Sequence, residues 1–203
     1  MIMNKIVFIE PKPAGEHIFT QFALPRIGIF ILATMMKNRG WDARILVEDI
    51  TSIDYKEFSD ADIVGISTIT PTAINSYVVA SRVRRMGITV IMGGPHVTFL
   101  PEEALDYADF VIRGEGEVPL MRFIDAWETD RDYSRVPNLS FRNGGGYTHN
   151  PMMTFENNLD QLPASDFSLM KDVSRLKVIP VQTSRGCPYN CSFCSVTGMF
   201  GKQ

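Results

Sequence analysis

Over the first 130 residues the apolar positions fall alternately into short continuous runs and longer stretches with helical spacing. Lys5–Glu10 (KIVFIE) predicts a strand, followed by a loop holding Pro11, Pro13 and Gly15. Across residues 25–39, Ile27, Phe30, Ile31 and Met35 repeat at helical spacing, and Gly40 ends the pattern. Residues 43–47 predict a second strand. Residues 62–69 (DIVGISTI) predict a third, with the near-continuous apolar run of a strand covered on both faces. Residues 72–86 predict a helix whose apolar side carries Ile74, Tyr77, Val78 and Val83, with arginines opposite and Gly87 at its end. Residues 88–92 form a fourth strand, 101–107 a short helix, and Phe110–Ile112 a fifth strand. Residues 118–127 make a further helix with Pro119 in its first turn, where a missing N–H leaves no bond unmade.

Strands alternating with helices imply right-handed crossovers and an α/β fold built on a parallel sheet. The expected architecture is a doubly wound five-stranded parallel sheet in the flavodoxin-like order 2-1-3-4-5. Ligands of such sheets sit beyond the carboxyl ends of the strands, at the switch point between strands 1 and 3. The loops at 11–23, 67–72, 93–98 and 113–117 are therefore the candidate ligand rim. After about Asp130 the rhythm changes. Residues 138–142 and 147–150 flank three glycines and read as a hairpin. Residues 157–170 form a polar connector, and 176–182 (LKVIPVQ) read as the first strand of a second domain. The expected boundaries are one domain over 1–134, a hairpin and linker over 135–175, and the start of another domain over 176–203.

Composition excludes several classes. Twenty Lys and Arg against 23 Asp and Glu give a net charge of −3, so no global field favours nucleic acid or an anionic membrane. The apolar run over residues 27–36 is far shorter than the roughly 20 residues of a membrane span. The first residues are too soon broken by proline for a signal peptide. The expectation is a cytoplasmic protein without a membrane span, in a compartment where clustered thiols serve metal or redox chemistry better than disulfides.

All three cysteines lie in SRGCPYNCSFCSVTG, as Cys187, Cys191 and Cys194. The spacing C-x3-C-x2-C can hold three corners of a cubane iron–sulfur cluster and leave the fourth iron open to an exogenous chelator. A structural zinc site needs a fourth Cys or His nearby, and none is close in sequence. A disulfide with one free thiol is the remaining alternative. The stretch from Cys187 to Cys194, with Phe193 before the last cysteine and Arg185-Gly186 in front, resembles the signature of radical S-adenosylmethionine (radical SAM) enzymes. The resemblance implies a [4Fe–4S] cluster held by the three cysteines, with Phe193 near the adenine of S-adenosylmethionine. It also implies reductive cleavage of that cofactor to a 5′-deoxyadenosyl radical, which calls for an external electron donor.

A doubly wound domain in front of this motif is similar to the radical SAM subfamily with an N-terminal cobalamin-binding domain. The likeness implies a hydroxyl residue after strand 3, met by Ser67 and Thr68, and a glycine pair after strand 4, met by Gly93 and Gly94. These would leave a channel beside the sheet for the nucleotide tail of cobalamin. A side chain at either glycine would fill that channel, and the Ser67 hydroxyl could bond a ring nitrogen or ribose. Read without the family, Ser67-Thr68 is a helix cap or buried polar pair and Gly93-Gly94 a strand-end turn. Two further stretches resemble the subfamily: Gly93 through His96, Val97 and Thr98, and Arg113-Gly114-Glu115-Gly116-Glu117. Gly114 and Gly116 would let the chain approach a macrocycle, and Glu115 or Glu117 would accept from a corrin amide or sit in a first helical turn. His96 would contact the corrin or cap the next helix. The loop after strand 1 lacks the Asp-x-His-x-x-Gly pattern of domains that ligate cobalt through histidine, so His17 reads as a loop residue. That loop also lacks the dinucleotide fingerprint, so Gly114-x-Gly116 does not imply a nicotinamide cofactor.

The resemblance implies methyl transfer to carbon or a related radical reaction on a substrate the sequence does not identify. The chain ends nine residues after Cys194, whereas a complete (β/α)8 barrel takes about 250 residues. The chain alone is therefore expected to bind cobalamin without turning over. The competing expectation is a non-catalytic flavodoxin-like module that binds flavin or regulates. Its receiver form is disfavoured by Ser67-Thr68 where a phosphorylatable Asp would stand.

Overall fold

The computed structural model describes residues 3–15, 23–153 and 158–202. Helices and strands follow in the order β1 (Lys5–Glu10), α1 (Ile27–Asn38), β2 (Asp42–Val47), β3 (Ile63–Ser67), α2 (Ala73–Arg85) and β4 (Thr89–Gly93). After these come α3 (Pro95–Phe99), α4 (Pro101–Leu105), β5 (Phe110–Ile112), α5 (Glu117–Glu128), β6 (Leu139–Asn143), β7 (Gly146–His149) and α6 (Val196–Phe200). One mixed sheet runs β2-β1-β3-β4-β5-β6-β7. Its first five strands are parallel, in the order expected for a doubly wound domain.

The sheet has seven strands rather than five, because the glycine hairpin continues it instead of standing apart. β6 pairs antiparallel with β5, placing Phe110 opposite Phe141 and Ile112 opposite Leu139, and β7 closes the edge. The physical reason is the open rim of β5, a strand of only three residues. An uncovered edge leaves its backbone groups unpaired. The rings of Phe110, Phe123 and Tyr133 cluster under the junction, with Phe110 4.8 Å from each of the other two.

Alternation along the strands separates two cores. Ile6, Phe8, Ile45, Ile63 and Ile91 face α1 and α5, whereas Val7, Ile9, Val64, Val90 and Met92 face α2, α3 and α4. On α2 the buried residues are Ala73, Ser76, Tyr77, Val79, Ala80 and Val83. Ile74 and Val78 stand in solvent at 71% and 58% exposure, contrary to the expected apolar stripe. The small residues allow close approach to the sheet, so the narrow series takes the inner face over the bulkier pair.

The far edge, at β2, is covered by the connector. Met170 bridges Ile45, Lys171 N donates to the Ile45 carbonyl at 3.0 Å, and Phe167 packs on Phe30 at 4.6 Å. Residue 157 of the expected connector lies outside the described residues. Residues 176–182 form no strand. A strand exists only where a neighbour takes its N–H and C=O groups, and no described strand pairs with this segment, in which Val178, Ile179 and Val181 are exposed. Among the described residues no helix is long and apolar enough to cross a membrane.

Candidate functional site: an apolar cavity at the strand ends

The α1/α5 side of the sheet does not close at the carboxyl ends of its strands. A cavity of about 380 Å³ remains there, a size found for small-molecule sites. Its floor is Phe8, Gly65, Ile91 and Ile112, its walls are Ile29 and Leu32 of α1 and Leu120 of α5, and its rim is Ser67, Gly93, Gly94 and Gly114–Glu117. Gly65 is what opens the floor. A Cβ there would lie 2.8 Å from the Phe8 ring, so any other residue would force that ring out of its place.

Charged groups sit on the rim. Glu10, at the end of β1, is buried and paired with Arg26 at the start of α1 (3.4 Å), and Arg26 N donates to it at 2.8 Å. Burial raises the Glu10 pKa, against the lowering effect of the Arg26 charge and hydrogen bond. Burial also lowers the Arg26 pKa, against its acidic neighbours Glu10 and Asp49. The Arg26 guanidinium donates onward to Ser67 Oγ at 3.0 Å and to the Ser67 carbonyl at 2.9 Å, tying β1, α1 and β3 together at the cavity mouth. Arg26 was not singled out by sequence reasoning. The signal was present: an arginine at a helix N-terminus opposes the helix dipole and needs a partner such as a carboxylate.

Ser67, Gly93, Gly94, Gly114, Glu115 and Gly116 line the cavity. Thr68, His96, Val97 and Thr98 do not. Thr68 is fully buried, its Oγ1 has no hydrogen-bond partner among the described residues, and its N donates to the Gly93 carbonyl at 2.8 Å. Val97 is fully buried in the core on the α2 side. Where the sequence reads a loop at 93–98, the chain turns into α3 (Pro95–Phe99). That turn carries the His96 ring away from the cavity, to Thr70 Oγ1 (3.2 Å) and the Tyr77 ring (6.2 Å). The Thr98 hydroxyl accepts from Gly114 N and donates to the Gly94 carbonyl, both at 2.9 Å, so it fastens one rim loop to the other.

The two rim glycines differ. A Cβ on Gly93 would meet only the Ile112 carbonyl, at 3.7 Å. A Cβ on Gly94 would lie 2.6 Å from the Thr68 carbonyl oxygen, and Gly94 sits at φ +101°. Gly94 is required by the close passage of two backbones, before any role in the cavity that it also lines.

Glu117 stands in the first turn of α5, one of the two places expected for it, and the sequence did not show the partner that it shares with Glu115. Both bond the Arg185 guanidinium, Nη1 to Glu115 Oε1 at 3.0 Å and Nη2 to Glu117 Oε1 at 2.5 Å, with all three side chains 5–8% exposed. Burial opposes the charge on Arg185, but the bonds and charges of Glu117 and Glu115 outweigh it and raise its pKa. One oxygen of each carboxylate is thus engaged by the segment in front of the cysteines, while both residues remain in the cavity lining. Met199 and Phe200 of α6, which follows the cysteines, complete the cavity lining.

All three cysteines are free thiols, Cys191 and Cys194 exposed and Cys187 partly covered. A turn bonds Cys194 N to the Cys191 carbonyl at 3.1 Å. Among the described residues no three His, Cys, Asp or Glu are gathered closely enough to hold a metal. The donor set suits a cluster with one open corner, while the loop itself is not wrapped around a common centre. Phe193 is 91% exposed. His17 lies outside the described residues.

Fold and cavity together define a doubly wound α/β ligand-binding domain whose site opens at the carboxyl ends of its strands. Residues 20–124, just over half of the sequence, match the B12 binding domain family, and the chain belongs to that family. An uncharacterized methyltransferase of Pyrococcus horikoshii is 36% identical over all of this chain and 47% of its own length. The bacteriochlorophyllide d C-8(2)-methyltransferase of Chlorobaculum tepidum is 34% identical over 71% of this chain and 30% of its own. The chain thus spans less than half the length of these relatives. Among solved structures, the cobalamin-dependent S-adenosylmethionine radical enzyme OxsB, with aqua-cobalamin and S-adenosylmethionine bound, superposes with a TM-score of 0.76 at 18% identity, over 98% of this chain and 29% of that one. The radical S-adenosylmethionine methyltransferase TsrM of Kitasatospora setae, with cobalamin and a [4Fe-4S] cluster bound, gives 0.74 at 17% identity, over 99% and 44%.

Proposed function

We propose that this chain is the cobalamin-binding part of a radical SAM methylating enzyme, with the three-cysteine segment as the beginning of its second cofactor site. The observation that carries the reading is the apolar cavity at the strand ends, in a chain of the B12 binding domain family. Its lining of Ile, Leu, Phe and Gly suits a flat heterocycle better than a charged group. The Ser67 and glycine rim offers backbone and hydroxyl partners to a polar tail. Ser67, Gly93, Gly94 and Gly114–Gly116 would hold cobalamin, which supplies a transferable methyl group when bound. Cys187, Cys191 and Cys194 would hold a [4Fe–4S] cluster, which with S-adenosylmethionine supplies radical chemistry.

In this reading the protein's own work is orientation. Arg26 fixes the ends of β1 and β3, α1 and α5 wall the cavity, and Gln182, Arg185, Met199 and Phe200 on either side of the cysteines complete its lining. The relatives named as methyltransferases support methyl transfer as the reaction of the whole protein. To test the reading, the protein is mixed anaerobically with hydroxocobalamin, or separately with flavin mononucleotide, and passed through gel filtration. Corrin absorbance eluting with the protein at near-equimolar amount, and no flavin, is the expected result. Flavin retained without corrin overturns it.

A further inference from the structure

We propose that Arg185 is a positioning residue: a buried latch that fixes the cysteine loop to the cavity rim through Glu115 and Glu117. Three independent contacts hold one guanidinium. Nη1 bonds Glu115 and Nη2 bonds Glu117 across separations of 70 and 68 residues. Nε bonds Gln182 Oε1 at 3.2 Å, and the Phe200 ring lies 5.8 Å from the guanidinium carbon. The planar fork of arginine can meet two carboxylates in fixed directions, which an ammonium cannot do.

The location gives the latch its role. Glu115 and Glu117 lie on the loop and first turn of α5 that form the cavity rim, and Arg185 stands two residues before Cys187. The segment between Arg185 and α6 has little else to fix it: most of it is irregular backbone, with Cys191, Phe193 and Cys194 exposed. Buried ion pairs contribute little net stability compared with apolar packing, and their best-attested use is to specify register. Here the register is that of the thiol loop over the cavity. The latch belongs to this chain's own residues, and only its purpose rests on the two-cofactor reading.

The test uses the intact chain, reduced and without corrinoid, iron or S-adenosylmethionine. Amide hydrogen exchange and iodoacetamide labelling of the three thiols are compared for wild type, Arg185→Gln, Arg185→Lys and the double variant Glu115→Gln/Glu117→Gln. For Arg185→Gln we expect exchange over residues 183–200 to rise about tenfold or more. Cys187 labelling should rise toward the Cys191 and Cys194 rates, with β1, β3 and β4 amides unchanged. The double variant should match it, combining Arg185→Gln with the double variant should add nothing, and Arg185→Lys should recover part of the protection. Unchanged exchange and labelling overturn the latch. Equal acceleration of the sheet amides also overturns it, because Arg185 would then be a general stability residue. Exchange and labelling are read without corrinoid, so failure of hydroxocobalamin retention would leave the latch standing, and unchanged exchange and labelling in the variants would overturn the latch while leaving wild-type retention as it is.

Discussion

Adjacent glycines on the rim make opposite demands, and replacing each with alanine separates them. Gly94 sits at φ +101°, ψ 174°, a region open essentially only to glycine. Occupying it with alanine costs about 1–3 kcal/mol of backbone strain. The new Cβ would also lie 2.6 Å from the Thr68 carbonyl oxygen and 3.0 Å from its nitrogen. These are backbone atoms held between β3 and β4, so they cannot swing aside as a side-chain tip would. Forced overlap of this kind costs a further 1–3 kcal/mol or so. Gly94→Ala should therefore lose about 2–6 kcal/mol of a total that is typically about 5–15 kcal/mol. The fall in Tm should be roughly 10 °C. Gly93→Ala carries neither burden, since its nearest contact is an ordinary 3.7 Å and its φ is not in the left-handed region. It should leave stability within about 0.5 kcal/mol of wild type, while its methyl group, at the cavity wall, weakens hydroxocobalamin retention. Urea unfolding of the three proteins, with slopes compared to confirm that only the midpoint moves, reads the first effect. Gel filtration with hydroxocobalamin reads the second. A Gly94→Ala protein as stable as wild type, or a Gly93→Ala protein equally damaged, would refute the geometry.

Two further outcomes follow from the same structure. Burial raises the Glu10 pKa, so the folded state holds this proton more tightly than the unfolded chain. The stability this contributes is complete below the ordinary carboxylate value and is lost as pH rises through the raised folded value. Across that window the stability of Glu10→Gln relative to wild type should rise with pH in a urea titration series, and a flat or falling difference contradicts the assignment. On α2, Ile74→Lys should change stability by no more than about 0.5 kcal/mol, whereas Val83→Ala, at a fully buried position, should lose about 2 kcal/mol. A loss at Ile74 as large as that at Val83 would restore the stripe the sequence suggests.

Strand order and strand–helix alternation were legible in the sequence because parallel strands covered on both faces read as unbroken apolar runs, as KIVFIE and DIVGIS do. Which side of a helix turns inward was less legible. α2 buries Ala73, Ser76 and Ala80 because closeness to the sheet outweighs hydrophobic size, and closeness is a property of the assembled layers. The same limit applies at the edges. Nothing in the glycine hairpin announces that β5 will take it as a neighbour, because pairing depends on which edge is left uncovered. Residues 176–182 show the converse: a good strand pattern without a partner stays irregular.

The candidate site was legible to the extent that loops at strand ends can be located from the strands. The loops of Ser67, Gly93, Gly94 and Gly114–Gly116 follow from position, the residues themselves are singled out by the family resemblance, and they line the cavity. What each rim residue faces is set by partners distant in sequence. Thr98 was read toward the ligand, and its hydroxyl instead joins Gly94 to Gly114. For Glu115 and Glu117 the sequence offers a corrin amide or a first helical turn, and the second holds for Glu117, but their shared partner lies about 70 residues later, in front of the cysteines. Arg113-Gly-Glu-Gly-Glu117 and Ser184-Arg-Gly-Cys187 are therefore halves of one structural unit, although each reads alone as a ligand loop. Arg185 is the one guanidinium that both carboxylates share, so the two halves meet at that residue and a change there touches both motifs at once.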